Sequence, residues 1–343
     1  MMRSILILLF CMLPVFCERP SVTLDSGAAK LTIDLLGGGI SGFELAGVAV
    51  NPFTWEQKGE QDEARPRGHF LCLDRWGAPS AAETANGMPF HGEASKVLWT
   101  VSKRTESEVE MWAELPMAKL RVARRVTLAK GSAIAEVIEQ VTNKNPLGRI
   151  YNWVQHPSIA PPFLDESTIV NANAVQGFPQ SAPLPNPERM TANWPMAYKD
   201  NVLVNISRLT NDMNPNVVSY VIDEEFGWTT AATPGQQLLV GYIWKTSDYP
   251  WFNAWRNVVN GKPAARGLEF GTTGLHQPFP ILAKKAAIYG RPLFAFLDAG
   301  ESETRSYKMF LAKVPRALKA VMGVSSFGGS MMVKTDGPTL TVR

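Results

Sequence analysis

The stretch from Leu120 to Asn143, LRVARRVTLAKGSAIAEVIEQVTN, decides the fold class of this chain. From Arg121 to Leu128 apolar and polar side chains alternate, which is the two-residue period of a half-buried β-strand. The turn residues Lys130-Gly-Ser follow, and Ala133 to Thr142 returns with the β-branched content of a second strand. A helix is an alternative for the return segment, but the turn before it favours a strand. The stretch therefore predicts an antiparallel hairpin.

The same alternation recurs along most of the chain and predicts an all-β fold, a sandwich of large antiparallel sheets. One helix is predicted, over Pro315 to Met322, and the proline-rich segment from Pro157 to Pro195 is predicted to be an irregular loop over one mouth of the sandwich. The glycines of 37–42 fit G-x-G-x-x-G, but a strand pattern follows them, so we interpret them as a hairpin and not as a dinucleotide site. Further strand candidates are 21–25, 29–35, 97–102, 109–113, 217–222, 237–244, 293–296 and 304–311.

Composition and charge narrow the possible partners. The 343 residues are 45% apolar and 19% charged, which is enough apolar surface for a sizeable core. The formal net charge is only +3, from 34 basic and 31 acidic residues. This balance gives no electrostatic reason to expect a nucleic acid or an anionic membrane as partner. It does not indicate the oligomeric state.

The N-terminus has the pattern of a signal peptide. Arg3 precedes an apolar run from Ile5 to Phe16, and polar residues begin at Cys17. We expect residues 1–17 to direct export, with an uncleaved membrane anchor as the alternative, and Cys17 as a weak candidate for lipid attachment. The sandwich domain is predicted over 18–315, and 316–343 is predicted to be an extension that packs on it or is partly disordered. If the first 17 residues are removed, Cys72 is the one remaining cysteine, so stability must come from core burial.

Histidine is scarce in this chain, and its few positions suggest the site. No pair of histidines has the close helical spacing of a metalloprotease, and no Cys/His cluster indicates zinc, so neither a metal nor another cofactor is expected. Three segments nevertheless stand out: Pro89-Phe-His91-Gly-Glu, Asn152-Trp-Val-Gln-His156-Pro, and Gly267-Leu-Glu269-Phe-Gly, with His276 shortly after. Each alone is also explained by a hydrogen-bonded structural histidine or by an ion pair.

Together these segments resemble the aldose 1-epimerase, or galactose mutarotase-like, superfamily. That family has an early His-Gly motif, a second histidine shortly after a Val-Thr-Asn strand end, and a late Gly-x-Glu strand, and His91, His156 and Glu269 follow in this order. The resemblance extends from about residue 25 to 315. It implies a galactose mutarotase-like β-supersandwich, a mono- or oligosaccharide as ligand, and interconversion of sugar anomers by acid/base ring opening.

The resemblance also implies roles for individual residues. Glu269 is the expected base, His156 the expected acid, and His91 a hydrogen-bond donor to the ring or anomeric oxygen. Arg75 and Asp248 take the positions of the arginine and the aspartate with which family members hold sugar hydroxyls.

Three further residues are candidates on their own chemistry. Arg266 could bind a sugar hydroxyl or carboxylate through its planar guanidinium group. Trp153 and Trp251 are the predicted stacking platforms, because the apolar face of a sugar packs on aromatic rings.

Two other classes of function stay open from the sequence. The first is an exported module that binds polysaccharide without turning it over. The second is a glycan-cleaving enzyme, since fold does not determine function. A glycosidase requires two carboxylates flanking the scissile bond, and Glu93 is the candidate for a second carboxylate beside Glu269.

Overall fold

The structure, a computed structural model, describes residues 20–57, 65–66, 68–208 and 215–343. The predicted signal peptide, 1–17, lies outside the described residues. In chain order the strands are β1 Ser21–Asp25, β2 Ala29–Asp34, β3 Ile40–Leu45, β4 Glu56–Gln57, β5 Arg65–Pro66, β6 His69–Asp74, β7 Thr100–Arg104, β8 Glu108–Leu115, β9 Leu120–Leu128, β10 Ile134–Asn143, β11 Arg149–Ile159, β12 Ile169–Ala172, β13 Ala174–Pro179 and β14 Ala192–Asn193.

The second half continues the pattern. Its strands are β15 Met196–Lys199, β16 Val202–Asn205, β17 Val217–Ile222, β18 Phe226–Thr233, β19 Leu238–Lys245, β20 Trp251–Val259, β21 Lys262–Gly271, β22 Ala287–Ile288, β23 Arg291–Pro292, β24 Ala295–Leu297, β25 Ser302–Lys313, β26 Val321–Phe327, β27 Ser330–Thr335 and β28 Leu340–Val342. The described helices are short: α1 Ala81–Ala85, α2 Phe279–Lys285, and 3-10 turns at Pro187–Met190 and Pro234–Gln236. None of them is long and apolar enough to cross a lipid bilayer.

The hairpin predicted from the opening stretch is confirmed. β9 and β10 pair antiparallel with Leu120 opposite Asn143 and Ala135 opposite Leu128. Along β9 buried side chains alternate with more exposed ones, and Val122, Val126 and Leu128 are buried. The alternative of a helix for the return segment is excluded, because these residues form β10.

Two large antiparallel sheets form the predicted sandwich. The larger sheet has the order β1-β2-β3-β6-β11-β21-β20-β17-β13-β14, with β24 paired to β11, and the smaller has the order β12-β18-β19-β25-β10-β9-β8-β7. Apolar side chains from the facing sides of both sheets make one continuous core. The predicted all-β class is therefore confirmed. The 37–42 glycine segment runs from the turn after β2 into the first residues of β3, and these strands pair antiparallel, so it belongs to a hairpin as interpreted.

The core also encloses a polar cluster between the sheets. Arg124 of β9 donates to Glu139 of β10 at 2.6 Å, and the other carboxylate oxygen of Glu139 accepts bonds from Trp153 and Gln155 of β11 at 3.0 and 2.6 Å. Gln155 in turn contacts His69 of β6 at 3.1 Å. Buried polar groups need such partners, since an unpaired one costs about 1–3 kcal/mol. This cluster joins the sheets at the strands that form the site on the outer face.

Two local predictions were wrong. The segment 315–322 contains no helix: a turn follows Pro315, and β26 begins at Val321. The segment from Pro157 to Pro195 is not one irregular loop, because it contains β12, β13 and β14. Both segments gain their structure from long-range pairing, which local composition does not indicate.

Candidate active site

A cleft opens on the outer face of the larger sheet, where β6, β11, β21, β20 and β17 run side by side. Cross-strand pairing brings the site together: His156 is opposite Phe70, Glu269 is opposite Asn253, and Trp255 is opposite Val217. Side chains alternate between the two faces of a strand, so these positions face away from the core. The cleft has a volume of about 210 Å³, and its lining residues are Trp55, Phe70, Trp76, Phe90, His91, His156, Asn216, Val217, Trp255, Glu269 and His276.

Glu269 lies at the floor of this cleft and is only 1% exposed. Its Oε2 accepts a hydrogen bond from the Trp76 indole N–H at 2.6 Å, and its Oε1 lies 3.2 Å from Nε2 of His156. Burial raises the pKa of Glu269 well above its usual value, and the bond from Trp76 acts in the opposite direction. Burial therefore favours the protonated form of this carboxyl group.

The His156 ring is held by aromatic packing and by a hydrogen bond at Nδ1. It stacks on Phe70 with centroids 4.3 Å apart, and Trp255 packs edge-on at 5.6 Å. Its Nδ1 lies 2.9 Å from the Ser158 hydroxyl, which is 3.4 Å from the carbonyl oxygen of His156. We assign the Ser158 proton to that carbonyl, so that Nδ1–H donates to Ser158 Oγ. Nε2 then shares the proton at the Glu269 carboxyl group.

His91 is held in the opposite tautomer. The Gly77 N–H donates to Nδ1 of the His91 ring at 3.0 Å. The main-chain N–H of His91 donates to the Gly77 carbonyl oxygen, also at 3.0 Å. Because Nδ1 accepts the bond from the Gly77 N–H, the ring proton of neutral His91 is on Nε2. The His91 ring centroid is 5.3 Å from that of His156. The structure thus brings Glu269, His156 and His91 into one cleft.

Arg75 and Asp248 do not line the cleft. The guanidinium group of Arg75 donates to Asp74 at 3.0 and 2.6 Å and lies 2.9 Å from Glu83, so its charge is already neutralised by acidic neighbours. Asp248 lies in the turn between β19 and β20, where its carbonyl accepts a bond from Arg305 of the smaller sheet. That turn joins the smaller sheet to the larger one, and Asp248 is not among the residues that line the cleft.

Arg266, Trp153 and Trp251 are also directed elsewhere. Arg266 is three residues from Glu269 on β21, and Trp153 is three residues from His156 on β11, so the pleat turns each to the inner face. Arg266 donates to the Ile206 carbonyl there, and Trp153 donates to Glu139. Trp251 is fully buried in a separate apolar cluster and donates to the Pro292 carbonyl at 2.8 Å. These side chains have structural partners in place of a ligand.

The cleft instead takes its aromatic wall and a third imidazole from other positions. Trp55, Trp76 and Trp255 line it, together with His276. The two-residue period could have indicated Trp255, which shares a face with Asn253 opposite Glu269. Trp76 and His276 follow the ends of β6 and β21, and no spacing rule relates such loop residues to the strands. No group of three His, Cys, Asp or Glu side chains in the described part of the chain has the geometry of a metal site.

Comparison with known proteins rests on structure alone. No protein-family model matches this sequence, and no curated protein matches it. A galactose mutarotase related enzyme from Lactobacillus acidophilus superimposes with a TM-score of 0.64 at 14% identity, over 88% of this chain and 100% of that one. A galactose mutarotase-like protein from Lactobacillus casei has a TM-score of 0.60 at 16% identity, over 85% and 100% of the two chains.

A third solved structure agrees with these two. The galactose mutarotase-like protein from Clostridium acetobutylicum has a TM-score of 0.60 at 14% identity, covering 88% of this chain and 97% of that one. Identities this low carry information on the fold and not on the activity. This chain therefore has the galactose mutarotase-like fold, which confirms at the level of the fold the superfamily resemblance seen in its sequence.

Proposed function

We propose that this protein binds a sugar in the outer cleft and interconverts its anomers, with Glu269 as base and His156 as acid. One observation carries the proposal: a carboxyl oxygen and an imidazole nitrogen lie 3.2 Å apart at the floor of an aromatic-lined cleft. In a cyclic sugar the anomeric hydroxyl and the ring oxygen are attached to the same carbon. An acid and a base that lie side by side can therefore reach both oxygens at once.

Ring opening then balances as one concerted proton exchange. Glu269 removes the proton of the anomeric hydroxyl, and the O–H electrons form the new carbonyl bond. The bond from the anomeric carbon to the ring oxygen breaks, and that oxygen takes the Nε2 proton of His156. Rotation about the first carbon–carbon bond, followed by the reverse transfers, closes the ring on the other face. No cofactor and no external proton are consumed.

The protonation of the pair suits this cycle. The starting state, a carboxylate beside an imidazolium, and the opened state, a carboxylic acid beside a neutral imidazole, contain the same number of protons. The net charge of the pair is zero in both, so burial penalises neither state by a full charge. The bond from Trp76 to Oε2 stabilises the carboxylate form. His91 Nε2–H supplies a further donor for the oxygen that develops charge.

The glycan-cleaving alternative lacks support from Glu93. Its carboxylate accepts bonds from the main-chain N–H groups of Met117 and Ala118, at 3.1 and 2.8 Å, and does not line the cleft. Glu269 is the one carboxylate among the described lining residues, whereas a glycosidase requires a pair. A module that binds sugar without turnover is separated from the proposal only by measuring turnover.

The test is the rate of anomer exchange, followed by polarimetry after dissolving pure α-anomers of a panel of aldoses. Wild-type protein should accelerate exchange, and Glu269→Gln and His156→Gln should each lower kcat by about 100- to 10,000-fold. Glu136→Gln is the matched control, since its carboxylate is on the surface beside Lys308. Wild-type protein that binds sugar with no rate above buffer would contradict the proposal.

We further propose that the protein acts outside the cytoplasm, because residues 1–17 have the pattern of an export signal. Expression of the full chain in a bacterium, followed by fractionation and mass spectrometry of the N-terminus, tests this. A shortened chain in the exported fraction is expected, whereas an intact cytoplasmic chain would oppose it.

A further inference from the structure

We propose that His276 is a substrate-binding residue that recognises one sugar hydroxyl other than the anomeric one; this inference rests on the sugar-binding part of the proposed function. His276 lines the cleft, and its ring centroid lies 5.8 Å from that of His91. Its ring nitrogens make no hydrogen bond to any described residue, whereas both other cleft histidines have a ring nitrogen bonded to the protein. A polar ring so placed is available to a ligand.

The His276 ring is also fixed in position before any ligand binds. The main-chain N–H of His276 donates to Oε1 of Gln180 at 2.9 Å, and Nε2 of Gln180 donates to Ser219 and to the Gly274 carbonyl at 2.7 and 2.9 Å. The ring meets Trp76 edge-on, with centroids 4.6 Å apart and planes at 84°. A donor or acceptor fixed in this way loses little conformational entropy on binding.

The ring lies directly over Gly77, and this contact links His276 to His91. A Cβ atom on Gly77 would be 2.6 Å from Nε2 of His276, so only glycine permits this approach. The same Gly77 N–H fixes the tautomer of His91. One residue without a side chain thus contacts both imidazoles. Since Glu269 and His156 are proposed to act on the anomeric hydroxyl and the ring oxygen, His276 is left for another hydroxyl of the sugar.

The protonation of His276 indicates what it binds. Burial lowers the pKa of His276 to about 4, so the ring is neutral at physiological pH. A neutral imidazole has one N–H donor and one acceptor nitrogen, and a hydroxyl group likewise both donates and accepts. The described residues that line the cleft include no lysine or arginine to bind an anion. The group bound at His276 is therefore an uncharged hydroxyl, and not a phosphate or carboxylate.

The experiment measures binding, so it does not depend on turnover. Dissociation constants of D-glucose, D-galactose and their monodeoxy analogues are obtained from the fluorescence of the cleft tryptophans. Wild-type protein should bind one deoxy analogue at least about 10-fold more weakly than its parent sugar, because the hydroxyl partner of His276 is missing. His276→Phe keeps the aromatic packing and should bind the parent as weakly as wild type binds that analogue. His276→Gln, which keeps a donor and an acceptor, should restore part of the preference.

Three outcomes would overturn the inference: an unchanged preference among the analogues in His276→Phe, an equal loss for every analogue, or no sugar binding by the wild type. A different result would contradict only the proposed reaction: wild-type protein that binds sugar with the expected dependence on His276 but does not exchange anomers. Thermal unfolding of both variants within a few degrees of wild type shows that the effect is local.

Discussion

At the scale of the residue, Glu269 combines two requirements that conflict. Burial makes its ionised form costly, yet a base must be ionised to accept a proton. Trp76 and His156 reduce the conflict, the first by donating a hydrogen bond and the second by sharing a proton. Perturbed pKa values of this kind are typical of functional sites.

Replacement of Trp76 by Phe should move the acid limb of the rate profile. In the wild type, the hydrogen bond from the Trp76 indole N–H lowers the pKa of Glu269. The variant keeps an aromatic ring but loses this N–H group. Without this hydrogen bond the carboxyl group keeps its proton to a higher pH, so Glu269 becomes an active base only at higher pH. The acid limb of kcat/KM for anomer exchange is expected to shift to higher pH. An unchanged profile would show that the bond to Oε2 does not control ionisation of the base.

Replacement of Glu269 by Gln should stabilise the folded protein relative to wild type, by an amount that increases with pH. The pKa of Glu269 is higher in the folded protein than in the unfolded chain. Its contribution to stability is therefore complete at a pH below the unfolded-state pKa, and it is lost as the pH rises through the folded-state pKa. Each unit of difference corresponds to about 1.4 kcal/mol. Glutamine does not ionise, so the advantage of the variant should grow from pH 4.5 to pH 8 in urea unfolding. Glu136→Gln should show no such trend, and a trend that falls with pH would contradict the assignment.

At the scale of the element, the pleat of the strands explains most of what the sequence could predict. The alternation in Leu120 to Asn143 predicted the hairpin, and the family resemblance of the three motifs implied that Glu269 and His156 would meet. Arg266 and Trp153 were assigned to the cleft, although each is an odd number of residues from its catalytic neighbour and must face the core. Strict use of the two-residue period would have removed both.

The loop contributions could not be derived in this way. Trp76 reaches Glu269 because the chain turns after β6, where Asp74 and Gly77 have φ of 81° and 94°. His276 reaches the cleft through its bond to Gln180, which lies far away in sequence. Such positions depend on tertiary packing, and no local pattern specifies them.

Replacement of Gly77 by Ala should weaken sugar binding, an effect that backbone strain alone does not predict. Gly77 has a φ of 94°, which disfavours any side chain, and a Cβ there would also strike the His276 ring. Gly131, in the β9–β10 turn, is the matched control, since its φ is 73° and no atom lies within 4 Å of a Cβ built there.

Both glycine variants should lose about 1–3 kcal/mol of stability from backbone strain. Only Gly77→Ala should weaken sugar binding, measured by tryptophan fluorescence. Equal sugar affinities in the two variants would mean that Gly77 does not position the cleft histidines.

At the scale of the whole molecule, the sandwich provides a rigid support and the last residues complete its core. β26, β27 and β28 form a small antiparallel sheet. Its inward side chains join the main core, as does Leu318 in the turn before β26; those of the sheet are Val321, Val324, Met331, Val333 and Val342. The Ala133 N–H also donates to the Arg343 carbonyl at 2.7 Å, beside the β9–β10 turn. These contacts give the segment after residue 315 a structural role.

A chain that ends at residue 315 should therefore be strongly destabilised. Removal of the small sheet would expose the apolar side chains beneath it, and each Leu, Ile or Met lost from a core typically costs about 2–5 kcal/mol. Urea unfolding and light scattering should show a much lower midpoint and a tendency to aggregate. Phe327→Ser is the control, since this side chain is 83% exposed and should have little effect. Truncation without loss of stability would mean that the sheet packs on the sandwich without supporting it.

The central claim is that Glu269 and His156 act on one sugar in the outer cleft. A crystal structure of the protein with a bound aldose tests it most directly. We expect the anomeric hydroxyl within hydrogen-bond distance of the Glu269 carboxyl group and the ring oxygen beside Nε2 of His156. A sugar bound elsewhere on the molecule, or bound in the cleft with its anomeric carbon directed away from both groups, would contradict the account.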